Sequence, residues 1–300
     1  MIHLPSGIDI QELINDLRSF SWEASNLLVY YSKILKDSDS KSNILKIENI
    51  EDPVTLADLK VNDLIINRIT EKYKDINWEI LSEENVKISS ESFEVNSDWV
   101  WVLDPLDGTR DFIQGTSNYA MHLALNYKCK PFLGIVLIPD KEELWIGYRD
   151  NIWCENKDGL KMKPKLSKNE KLRNMVLVTS KNHRNQTLEN LIQQINPNKT
   201  IKMGSVGCKI ASIIRGECDL YISLSLPGKS SPKDWDFAAP EALIKAAGGA
   251  ITNLDNQGLS YGKTGFEQGG IIVATNDKKN HRSICFEIKK IIKEYGIYPL

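Results

Sequence analysis

Apolar residues recur at helical spacing from residue 8 to residue 36, and the polar run Asp37-Ser-Asp-Ser-Lys-Ser then closes that helix in a loop. A second helix is expected from about Leu56 to Tyr73, with Leu59, Leu64, Ile65 and Ile69 on its apolar side. Short strands follow around 77–81 and 99–104. Segments 119–127, 131–138, 144–148 and 152–155 are then spaced as an antiparallel meander. The pattern changes after the Lys-rich stretch 156–172. Strand 175–179, helix 184–195, strand 199–203, helix 205–214 and strand 218–223 alternate as in an α/β unit. A helix from about Trp235 to Ala247 stops at Gly248-Gly249, strands near 250–252 and 270–274 follow, and a helix over 277–293 comes last. The expected organisation is α+β over 1–170 and α/β over 171–300, with the boundary in the Lys-rich loop.

The chain has 300 residues, 41% of them hydrophobic and 26% charged, with a net charge of −2, which describes a soluble globular protein rather than a nucleic-acid binder. The lysines of 157–171 sit among Asn, Gly, Pro and Ser and read as a solvated loop. Five cysteines without a CxxC pair suggest free thiols in a reducing compartment, with Cys208 as a buried packing residue. The start Met1-Ile-His-Leu-Pro-Ser lacks the marks of a signal peptide, and no window reaches membrane-span length. A cytoplasmic location is therefore expected.

The most informative stretch is Trp99-Val-Trp-Val-Leu-Asp104-Pro-Leu-Asp107-Gly-Thr109. A buried strand ends there at Pro105 and delivers two carboxylates, three residues apart, into a turn. Two ionised carboxylates held together repel unless a cation lies between them, and oxygen ligands suit magnesium. These residues alone leave an ordinary Asp-Pro-x-Asp-Gly turn equally open. Other segments bear on the choice. Thr55 reads as the N-cap of the second helix, with Asp58 completing a capping box. Glu83 and Glu84 end a strand, so one of them alone is expected to face a shared site. Asp234 reads as a plain cap and Asp236 as a ligand, with Pro240 near the first turn of that helix. Asp107-Gly108-Thr109 opens a short helix whose free N–H groups suit a phosphate. His122, inside an apolar strand pattern, reads as a packed strand residue and not as a base.

Four ordered segments carry a resemblance: Asp-Pro-Val-Thr-x-Ala-Asp at 52–58, Ser-Glu-Glu at 82–84, Asp-Pro-Leu-Asp-Gly-Thr at 104–109 and Trp-Asp-x-Ala-Ala at 235–239. Together they resemble the inositol monophosphatase superfamily of lithium-sensitive, magnesium-dependent phosphatases. The resemblance implies a layered αβαβα fold and a small phosphate ester as substrate, in a monomer or homodimer. It also implies two or three magnesium ions held by Glu83, Asp104, Asp107, Asp236 and the Leu106 carbonyl. Thr109, bonded to Asp58, would orient and help deprotonate the attacking water, and the Gly108 and Thr109 amides would hold the phosphoryl group. Gly204 and Ser205 resemble the family's substrate-facing segment. Lys209 follows on that helix's first turn, where a cation opposes the dipole and so suggests an anion to bind, although a solvated surface lysine is the plain alternative.

Inositol-selective members usually carry a glutamate seven positions before the matching aspartate, where this chain has Lys229. A cation there favours a second phosphate over a neutral polyol. The stretch 227–236 looks like that of the bacterial 3′(2′),5′-bisphosphate nucleotidases, which implies release of the 3′-phosphate of 3′-phosphoadenosine 5′-phosphate to give AMP. Inositol 1-phosphate and fructose 1,6-bisphosphate are the rival substrates. A non-catalytic regulatory homologue is the rival of another class. A two-metal nuclease should show a basic groove or stacking aromatics, which the chain lacks.

Overall fold

The structure is a computed structural model that describes residues 4–36, 45–46, 54–88 and 94–299, with only the backbone described at 45–46 and 54. Residues 1–3, the expected loop at 37–42, and Asp52 and Pro53 lie outside the described residues.

Helix α1 (Ile10–Lys36) starts after Asp9, whose carboxylate accepts from the Gln11 and Glu12 amides. Strands β1 (Leu45–Lys46) and β2 (Val54–Thr55) pair antiparallel and lead into α2 (Leu56–Lys72). The capping box expected there is present: Thr55 Oγ1 accepts from Ala57 N, and Asp58 accepts from Thr55 N at 2.8 Å.

A seven-stranded sheet follows. Strand β3 (Glu79–Ser82) runs parallel to β4 (Trp99–Asp107). Then β5 (Ala120–Tyr127), β6 (Lys130–Ile138), β7 (Glu143–Tyr148), β8 (Asn151–Glu155) and β9 (Lys161–Met162) add on as an antiparallel meander. Helix α3 (Glu83–Ile88) lies between β3 and β4, and α4 (Thr109–Ile113) between β4 and β5. The two-residue β9 falls inside the stretch expected to be loop only.

The second sheet has the order β11 (Lys199–Met203), β10 (Val176–Ser180), β12 (Leu220–Leu224), β14 (Ile271–Thr275), β13 (Ala250–Asn253). Its first three strands are parallel, and β14 runs antiparallel to both of its neighbours, β12 and β13. The remaining helices are α5 (Gln186–Ile195), α6 (Val206–Ile214), α7 (Asp234–Ala246) and α8 (Lys278–Tyr295).

Three apolar cores stack these elements into αβαβα layers. On the outer face of the large sheet, Leu13, Leu17, Leu28, Val61, Ile65 and Ile69 of α1 and α2 pack on Trp101, Leu103, Leu123 and Leu125. The alternate residues Val100, Val102, Ala120 and Ala124 face inward, where α6 and α7 separate the two sheets. A strand buried on both faces reads as the continuous apolar run seen in β4. Helices α5 and α8 cover the far side of the second sheet through Leu188, Leu191, Ile284 and Ile288.

Three local expectations are corrected. Pro105 does not end β4, which pairs on to Asp107. Glu83 and Glu84 do not end a strand but open α3, so the alternation of a pleated strand does not separate them. Pro240 lies in the second turn of α7, where its missing N–H removes the i→i−4 bond to the Asp236 carbonyl.

Candidate active site

Residues three apart on a regular strand point to opposite faces. Asp104 stands opposite His122 and Asp107 opposite Ala120, so β4 takes three steps where β5 takes two. That one-residue bulge turns both carboxylates to the same side, and Pro105 sits inside it, where its absent N–H breaks no ladder bond. As a result, ligand atoms of Asp104, Asp107 and His122 lie within 4.8 Å of one another. Two like charges at such a separation repel by about 3 kcal/mol at an effective dielectric near 20.

Other elements bring further carboxylates. Glu83, on the first turn of α3, is hydrogen-bonded to Asp104 and paired with Lys87 Nζ at 2.8 Å. Burial drives the Asp104 carboxyl well above the usual range, and repulsion from Glu83, Asp107 and Asp236 adds to it. Asp236 is raised for the same reasons, burial first and then Asp107 and Glu83, with Lys209 opposing. Its carboxylate also accepts from Lys233 N at 2.6 Å. Glu84 is buried with Oε1 3.6 Å from Lys87 Nζ, and burial followed by Glu83 pushes it up to about 8 against the lowering effect of Lys87. Four carboxylates of the predicted set thus converge on one pocket, and Glu83 and Asp107 add to the raised proton affinity of Asp104 and Asp236. Their donor chemistry suits a hard divalent cation.

The other predicted residues gather around this pocket to different degrees. Thr109 Oγ1 lies 3.3 Å from Asp58 Oδ1 and 3.0 Å from the Leu106 carbonyl. Asp58 therefore serves the cap and the Thr109 contact together. Burial pushes its carboxyl up to about 7 against the lowering effect of the Thr55 bonds. Gly108 has φ 88° as the N-cap of α4, and a Cβ there would lie 2.8 Å from the Asn118 carbonyl, so only glycine fits. Ser205 caps α6 by accepting from Cys208 N and donates its own N–H to the Asn118 carbonyl. Gly204 lies against the Asp111 carboxylate.

Lys209 is buried, which removes the solvated-surface reading. Its Nζ donates to the Gly204 carbonyl at 2.7 Å and sits 5.3 Å from the Tyr221 ring centre, and burial lowers its pKa. Lys229 is exposed on the turn closed by its N–H to the Leu226 carbonyl. Asp234 is not the cap expected: Lys233 holds that position, and the buried Asp234 carboxylate accepts from Gly262 N at 2.6 Å and Gln268 Nε2 at 2.7 Å.

Two residues have contacts that the sequence did not reveal. His122 is buried as expected but is more than packing, since its Nε2 touches Asp107 Oδ2 at 3.2 Å. Asp111 is buried and joins α4 to the end of β10, accepting from Lys181 Nζ at 3.2 Å and Asn182 Nδ2 at 2.8 Å. An Asp in a short helix carries no local mark of a partner seventy residues away.

The sequence pattern of the Inositol monophosphatase family matches residues 9–293. The chain belongs to that family. Within it, the chain is similar to the 3′(2′),5′-bisphosphate nucleotidase CysQ of Buchnera aphidicola, 32% identical over 211 residues that cover 70% of this chain and 74% of the relative. It is also similar to 3′(2′),5′-bisphosphate nucleotidase 1 of Dictyostelium discoideum, 26% identical across 80% of this chain and 88% of the relative. Among solved structures, the inositol monophosphatase of Thermotoga maritima superposes with a TM-score of 0.72 over 94% of this chain and 99% of that one, at 19% identity. Membership of this family supports a phosphatase, and its metal dependence is in keeping with the acidic pocket. Among the described residues no helix is long and apolar enough to cross a membrane.

Proposed function

We propose that this family member is a magnesium-dependent 3′(2′),5′-bisphosphate nucleotidase that hydrolyses 3′-phosphoadenosine 5′-phosphate to AMP and phosphate. The observation that carries the reading is the convergence of Glu83, Asp104, Asp107 and Asp236 beside the Gly108 turn. Those carboxylates and the Leu106 carbonyl would hold the magnesium ions. Bound there, the ions would neutralise the ester dianion and acidify the attacking water. The Thr109 hydroxyl, held between Asp58 and the Leu106 carbonyl, orients that water, and Asp58 receives its proton. The amides of Gly108 and Thr109 face the phosphoryl oxygens. Water adds to phosphorus, the bond from phosphorus to the 3′ oxygen breaks, that oxygen takes a proton from solvent, and Asp58 returns the water's proton to solvent.

The similarity to nucleotidases supports the substrate. Lys209, within electrostatic reach of Asp107 and Asp236, and Lys229, on the turn leading to α7, are the cations assigned to the second phosphate. Gly204, against Asp111 of α4, and Ser205, against Gly108, are assigned to the substrate as well. The reading extends to a cytoplasmic monomer or homodimer with the metal pocket mostly in residues 1–170 and the substrate contacts in 171–300.

Phosphate release with magnesium, measured on 3′-phosphoadenosine 5′-phosphate, inositol 1-phosphate and fructose 1,6-bisphosphate with and without lithium, tests this. Preference for the nucleotide, lost with lithium, is expected. Preference for either rival overturns the substrate while keeping the chemistry. No release from any of the three removes the catalytic reading.

A further inference from the structure

We propose that His122 is a positioning residue: its ring locks the first turns of α6 and α7 around Asp107 and so sets the affinity of the acidic pocket for a divalent cation. The inference rests on the metal reading above. His122 is wholly buried on β5, across the β4 bulge from Asp104. Its Nε2 accepts from Gly207 N at 3.1 Å, so in the neutral ring Nδ1 carries the hydrogen and donates to the Trp235 carbonyl at 3.3 Å.

Asp107 Oδ2 accepts from Val206 N at 2.5 Å and lies 3.4 Å from Gly207 N. The first two amides of α6 are thus divided between a predicted metal ligand and the imidazole beside it. Val206 N, Gly207 N and His122 Nε2 (3.2 Å) all converge on Oδ2, so the ring and the start of α6 together fix that oxygen. The other end of the ring holds the carbonyl of the residue just before Asp236. One side chain therefore sets the positions of two carboxylates that come from different layers of the fold.

The fit is specific to the ring nitrogen. A Cβ on Gly207 would lie 2.3 Å from Nε2, so the helix approaches this closely only because position 207 has no side chain. An apolar residue of equal volume at 122 would fill the space but remove the shorter of the two bonds of the Gly207 amide and the side-chain donor to the Trp235 carbonyl. A group that merely packs has no need of both bonds. Groups that orient metal ligands typically alter metal affinity by about 10- to 100-fold when removed.

The test is calorimetric titration of magnesium chloride into the metal-free protein, with a denaturant unfolding curve for every variant. His122→Asn keeps a donor near the position of Nδ1 but takes the imidazole acceptor from the Gly207 amide, which is left with the longer contact to Asp107 Oδ2, and binding is expected to weaken about tenfold or more. His122→Gln places an amide oxygen near the position of Nε2, and its affinity is expected to stay within about threefold of the wild type. Equal affinity in the two variants, tight or weak, overturns the proposal, because packing alone would then account for the residue. If His122→Asn does not fold, Gly207→Ala displaces the ring from the opposite side. It should show the same loss beside an unchanged His122→Gln, and wild-type affinity in Gly207→Ala overturns the proposal. A wild-type protein that binds no magnesium removes the metal reading itself, and this inference with it.

Discussion

Asp104 and Asp219 are both buried aspartates, yet their surroundings are opposite. Asp219 accepts from Val176 N at 2.6 Å, Asn169 Nδ2 at 3.1 Å, Asn276 Nδ2 at 3.2 Å and the Ser167 hydroxyl. Four neutral donors from three separate segments replace its water. Asp104 instead faces Glu83, Asp107 and Asp236. The first carboxylate is a finished structural joint, pinning the connection between the two sheets. The second is short of positive charge, a deficit that protons or cations must make good. Burial alone does not mark a functional carboxylate; the sign of what surrounds it does.

The largest effect that would break this comparison is on turnover. Asp107→Asn keeps an oxygen for the Val206 amide but removes the charge, and kcat/KM is expected to fall about a thousandfold, equivalent to roughly 4 kcal/mol, with the unfolding transition preserved. Wild-type rates in this variant would detach the acidic pocket from the chemistry.

Asp219→Ala should behave in the reverse way. Several buried donors lose their acceptor, so stability is expected to drop by about 3 kcal/mol while kcat of the folded fraction stays at the wild-type value. Denaturant curves read beside specific activity separate the two outcomes, and a lost kcat without lost stability would put Asp219 in the site.

The smallest effect is on pH dependence. Glu84 is raised in the fold from an ordinary 4.5 to about 8. Its contribution to stability is therefore complete below pH 4.5 and is lost as the pH rises through 8. In chelator, the metal-free wild type should lose more stability than Glu84→Gln between pH 5.5 and 8.5, by about 3 kcal/mol at most. Parallel curves for the two proteins would show that the pocket does not resist ionisation of Glu84.

Local chemistry made much of this legible in the sequence. Among the described residues, period and punctuation placed every helix of eight or more residues, and the capping box at Thr55 needed no more than its own four residues. The meander was readable because hairpin strands are neighbours in the chain as well as in the sheet. Errors came where tertiary packing overrode local rules. Pro240 is accepted inside α7, and Glu83 and Glu84 begin a helix directly where β3 ends.

The sequence by itself determined which carboxylates stand at the ends of elements, because strands, caps and turns are written in spacings of a few residues. It also carried the resemblance to the family that the chain proved to belong to. Only the tertiary structure decided that Asp104 and Asp107 share a face, since that depends on a bulge defined by the register against β5. It alone buried Lys209 and set His122 between Asp107, α6 and α7. Such contacts join residues some fifteen to over a hundred positions apart, and no local preference encodes them. They form when burial of three apolar cores brings the layers together.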